Sequence, residues 1–95
     1  MSVPRRAVAV RAHGSDSGDI DRLCEIHGLR VVFTAYIGAG SVHAPMIAAH
    51  HALDHDADVV LVPHLGIHEA RSPSWRTVTR FADLITAAGV LESGS

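Results

Sequence analysis

Histidine is the side chain here best suited to acid–base or metal chemistry near neutral pH, and the chain holds eight of them. His51 and His55 stand at i, i+4 spacing with Asp54 beside them and His50 adjacent, while His64 and His68 flank the end of an apolar run. His51 and His55 on one helical face, joined by His64 from a strand end, are a donor set of the kind that holds Zn²⁺ in a tetrahedral site. The segment His51-Ala52-Leu53-Asp54-His55 has the H-x-x-x-H spacing of a metalloprotease but no Glu after the first His, so the general base of that motif is missing. Ser15-Asp16-Ser17 near His13 places hydroxyl, carboxylate and imidazole within a few residues, and the same cluster also serves to cap a helix. Gly38-Ala39-Gly40-Ser41 can cradle phosphate through backbone N–H groups, though it has neither a third glycine in place nor a following Lys. Cys24 lies between Leu23 and Ile26, where a buried, unreactive thiol is expected.

These groups need elements to position them. Val59–Val62 is a β-branched-rich apolar run between Asp58 and Pro63, the signature of a strand covered on both faces. Arg6–Arg11 and Leu29–Tyr36 read as its neighbours. Between them, Ile20, Leu23, Cys24 and His27 repeat at helical spacing, with Ser17 as N-cap and Gly28 at the C′ position. A second helix starts near Pro45, with Met46, Ala49, His50 and Leu53 as its predicted buried stripe up to Asp54. Ser72-Pro73 opens a predicted last helix with a stripe of Val78, Phe81, Ala82 and Ile85, ended by Gly89, after which Val90-Leu91 can begin a strand. The order β-α-β-α-β-α-(β) over residues 1–95 predicts one α/β domain. Its three layers are a mostly parallel sheet of about four strands with helices on both faces. Chemistry in such a sheet collects at the carboxyl ends of the strands, here His64 to Arg71.

Composition narrows the function classes. An apolar fraction of 47% with 19% charged residues fits a folded globular domain. The net charge of −2 offers no global field for nucleic acid. All basic residues are Arg, and Lys, Asn and Gln are absent, a bias that by itself supplies histidines. One cysteine allows no internal disulfide and fits a reducing compartment. MSVPRR is followed by no apolar leader, and no apolar run approaches the ~20 residues of a membrane span, so a cytoplasmic protein without membrane contact is expected.

From about Arg6 to Leu91 the chain resembles the catalytic domain of serine recombinases, the resolvase/invertase group. The resemblance rests on Cys24-x-x-x-Gly28, the Val-rich second strand and the Gly-x-Gly-Ser loop before a Pro-started helix. It also rests on Asp58-Val-Val-Leu-Val leading into His64-Leu65 and Arg71, and on Ala88-Gly89-Val90-Leu91. It implies phosphoryl transfer by a serine at the end of the first strand, with arginines stabilising the phosphate. Matched residue by residue, the first-strand motif of that family puts Ala12 at an arginine position and Gly14 at the nucleophile. A one-residue slip substitutes Arg11 and Ser15. The family's Arg-Pro falls on Ala44-Pro45, its Leu-Asp-Arg on Leu65-Gly66-Ile67, and a further arginine on Ala70 beside Arg71.

The expectation is therefore a catalytically inactive resolvase-like domain that works as a protein-binding or regulatory module in a DNA-related setting, without a cofactor. A protein partner or self-association is expected, with DNA contact weak. Trp75, His64 and His68 are the candidate binding residues, Trp75 being either an exposed anchor or a lid on the core. The competing expectations are an active strand-transfer domain using Ser15 with Arg11 and Arg71, and a metal-binding domain using His51, His55 and His64.

Overall fold

In the computed structural model, residues 3–12, 17–38 and 41–93 are described. The elements are β1 (Arg5–Arg11), α1 (Ser17–His27), β2 (Leu29–Tyr36), α2 (Ala44–Asp54) and β3 (Val59–Leu61). They continue with α3 (Ile67–Ala70), α4 (Pro73–Arg76), a 3₁₀ turn (Val78–Arg80), β4 (Asp83–Thr86) and β5 (Gly89–Leu91). The strands form one sheet in the order β2-β1-β3-β4-β5, parallel except for the antiparallel β4–β5 hairpin. The α/β class, the mostly parallel sheet and the central place of β3 are as expected, but of its two expected neighbours only β1 pairs with β3; β2 lies at the edge beyond β1, and β4 takes the other side.

Side-chain alternation sorts the apolar residues into two cores. Ala7, Ala9, Val59, Leu61 and Ile85 face α1, where Ile20 and Leu23 cover them. Val8, Val10, Val60, Val62 and Leu84 face the opposite side, against α2, Ala70, Trp75, Val78 and Ala82. Gly28 ends α1 at φ 65°, the left-handed C′ position that costs an L side chain about 1–2 kcal/mol.

Two further expectations fail for identifiable reasons. The single last helix over residues 72–89 does not form. After α4 and the 3₁₀ turn the chain extends into β4, because the free edge of β3 takes a strand. Val62 N–H donates to the Ile85 carbonyl at 2.8 Å and Asp83 N–H to the Asp58 carbonyl at 2.9 Å. Leu84 and Ile85, adjacent in sequence, are then both buried on opposite faces of the sheet, as strand alternation directs. Thr86 closes the hairpin, its Oγ1 accepting from the N–H groups of Ala88 and Gly89 at 3.1 and 3.2 Å.

The second failure is the stripe on α2. The face against the sheet is Ala44, Pro45, Ala48, Ala49 and Ala52, while Met46 and Leu53 point outward with His50. Alanines at i, i+4 let the helix backbone approach the sheet closely, so the small residues take the inside and the large ones are left over.

Asp83 fastens the bottom of the sheet. It accepts from Arg5 on β1 and from the Ser93 N–H at 2.6 Å. Burial pushes its carboxyl up, but the Ser93 N–H and the Arg5 guanidinium outweigh burial and hold it below its ordinary value. A depressed folded-state pKa contributes stability that is present above the unfolded value of about 3.9 and is lost as pH falls through the folded one. Asp83→Asn is expected to cost about 1–2 kcal/mol at neutral pH. In urea titrations it should lose less further stability than the parent between about pH 5 and pH 2. Equal acid losses in both proteins would remove Asp83 from the acid response.

Candidate functional site

The carboxyl edge of the parallel strands is the first place to look for chemistry. Val10, next to the last residue of β1, and Ile37, just past β2, lie there, and His64, Leu65, Glu69 and Trp75 close over them. Among the described residues the space they leave is about 30 Å³, the volume of roughly one water and too small for a substrate. Trp75 takes up that room. It is only 5% exposed, so of its two expected roles the structure shows the lid. An exposed anchor it is not. His64 is exposed at this rim and His68 is exposed on α3.

Of the recombinase-type groups, Arg11 and Arg71 border different parts of the sheet. Arg11 lies over the Tyr36 ring with its guanidinium carbon 5.4 Å from the centroid, and donates to the Tyr36 hydroxyl at 3.3 Å, on the β2 side. Arg71 instead borders a cleft of about 240 Å³ with Arg76, Thr79 and Leu91, on the β5 side. Ser15, with His13, Gly14 and Asp16, lies outside the described residues, as do Ala39 and Gly40 of the glycine loop.

Nor do the metal candidates converge. His51 and His55 stack on Phe33, with ring centroids 4.4 and 4.5 Å away, and so cover an aromatic on the edge strand β2. His50 Nε2 sits 3.1 Å from Asp54 across one turn of α2. His64 belongs to the carboxyl edge, among other neighbours. Among the described residues no three His, Cys, Asp or Glu side chains are grouped to hold an ion. Cys24 is half-buried, and burial, followed by the Asp21 charge, pushes its thiol up, away from the reactive thiolate.

What the fold does present is an apolar groove of about 440 Å³ between α2 and the α4–3₁₀ segment. Val42, Met46, Leu53 and Phe81 line it, with Ser74 and Thr77 as polar groups on the opposite wall. Val42 is 83% exposed, Met46 75%, Leu53 59% and Phe81 49%. Large apolar side chains this open, contiguous around one concavity, make this groove the candidate site.

No protein-family model, no curated protein and no solved structure matches this chain. The groove must therefore be interpreted from its own chemistry. Sequence reasoning placed Met46, Leu53 and Phe81 in the core and passed over Val42. A signal was present in α2, whose alanines at 44, 48, 49 and 52 already make one apolar face, leaving the stripe of larger residues as a second. A helix apolar on two faces is covered on both or meets a partner with one.

Among the described residues no helix is long and apolar enough to cross a membrane.

Proposed function

We propose that this domain is a protein-binding module, built on an α/β scaffold resembling that of the serine recombinases but without their chemistry, and that it binds through the α2–α4 groove. The observation that carries it is the contiguous exposure of Val42, Met46, Leu53 and Phe81 around that groove. Two features of the carboxyl edge support a binding role over a catalytic one. Among the described residues the space there, closed over by Trp75, is about 30 Å³, and Arg11 and Arg71 border different parts of the sheet.

A photo-crosslinking residue at position 42 in the intact chain tests the reading in cells of its own source. Covalent protein adducts are expected there and not from the same residue at Glu25, on the exposed side of α1. Absence of adducts at position 42 would end the proposal. In parallel, supercoiled plasmid incubated with the protein is expected to stay unnicked. A covalent protein–DNA adduct that disappears in Ser15→Ala would replace the binding module with the strand-transfer enzyme.

A further inference from the structure

We infer that the occupant of the groove is a second copy of this chain, the two packing α2 against α2 about a twofold axis. The inference rests on the groove being a protein-binding surface and goes further in naming the partner.

Area is the first argument. At the exposures above, Val42, Met46, Leu53 and Phe81 together present on the order of 400 Å² of apolar surface. A standard interface takes about 800 Å² from each partner, about 60% of it apolar, or roughly 480 Å². The patch thus supplies nearly the whole apolar share of one side of an ordinary dimer.

Charge is the second. A twofold interface sets each residue near its own kind, so a face bearing net charge opposes itself. The residues lining this groove include no Arg, Asp or Glu. Its one titratable group, His50, is already beside Asp54 at 3.1 Å. Such a face carries nothing that would select a charged partner and nothing that repels an identical copy.

The fold also blunts the competing route to a dimer, edge-to-edge extension of the sheet. On β2 the pairing slips between Ala7↔Val31 and Val8↔Phe33, leaving Val32 as a bulged extra residue on one outer strand. The other outer strand, β5, has only three residues. Neither outer strand offers the long, regular edge that such extension uses.

Sedimentation velocity on the full chain, from about one to several hundred micromolar, tests this. The protein is expected to approach twice its 10.1 kDa mass as concentration rises. Met46→Glu and Leu53→Glu, both at exposed positions, should each weaken association about tenfold or more while leaving the far-ultraviolet circular dichroism unchanged. A dimer untouched by both variants would place the interface elsewhere and overturn the inference. A chain that stays at 10.1 kDa throughout would overturn it too. The crosslink at position 42 then separates the two failures. An adduct of another mass from a monomeric chain sinks the self-association and keeps the binding module, whereas a monomer without adducts sinks both.

Discussion

Leu84→Ala is expected to lower the unfolding free energy by about 3 kcal/mol, whereas Phe81→Ala is expected to cost less than about 1 kcal/mol. Leu84 is fully buried on β4, between Val60 of the neighbouring strand and the α2-side core. Truncating it removes apolar area from water and leaves a cavity that a sheet hydrogen-bonded on both sides closes poorly. Phe81 is 49% exposed on the groove wall, so its truncation removes far less buried surface. A last helix with Phe81 on its buried stripe requires Phe81 to be the costlier of the two. Chemical denaturation of both variants at micromolar concentration, low enough to limit any association, decides between them. A Phe81 cost above that of Leu84 would contradict the strand.

Trp75→Ala carries the other large effect, about 3–5 kcal/mol, a large part of the 5–15 kcal/mol that holds a domain of this kind together. The indole packs into the α2-side core and closes the carboxyl edge over Val10, Ile37 and Leu65. As the sole tryptophan it is also its own reporter. Native emission should be blue-shifted and weakly quenched by acrylamide, moving red on unfolding. Trp75→Phe keeps most of the ring's packing and should lose less stability than Trp75→Ala. Free indole should restore part of the alanine variant's loss, since an apolar cavity left by a ring accepts a ring. Native emission as red as that of the unfolded chain, with an alanine variant as stable as the parent, would make Trp75 a surface residue.

The elements that could be placed from residues alone were those whose local signals agree. β2 runs over Leu29–Tyr36 as expected, α1 ends at the positive-φ Gly28, and β3 is the middle strand of the order. In each, apolar spacing, β-branching and a terminating residue point the same way. Residues 73–91 went differently. Val78 and Ala82 are buried at helical spacing because they sit on and beside a 3₁₀ turn, and Ala87 and Ala88 are good helix formers. Nothing local in Leu84-Ile85-Thr86 outweighs that pattern. Only the unpaired edge of β3 does.

Sequence by itself determined the class, a single-sheet α/β chain with β3 at its centre, because a run of apolar β-branched residues between polar ends is stable only when covered on both faces. It also determined which residues bear chemistry, but not where they meet. Tertiary structure decided that His51 and His55 stack on Phe33, that Arg11 and Arg71 border different parts of the sheet, and that Trp75 is buried at the carboxyl edge. It also decided which of two apolar faces of α2 goes inward. That choice turns on how closely a helix can approach a sheet, a matter of backbone separation in space, and there the alanine face wins over the larger side chains. Met46 and Leu53 are left outside for the same reason, and the candidate interface exists because of it.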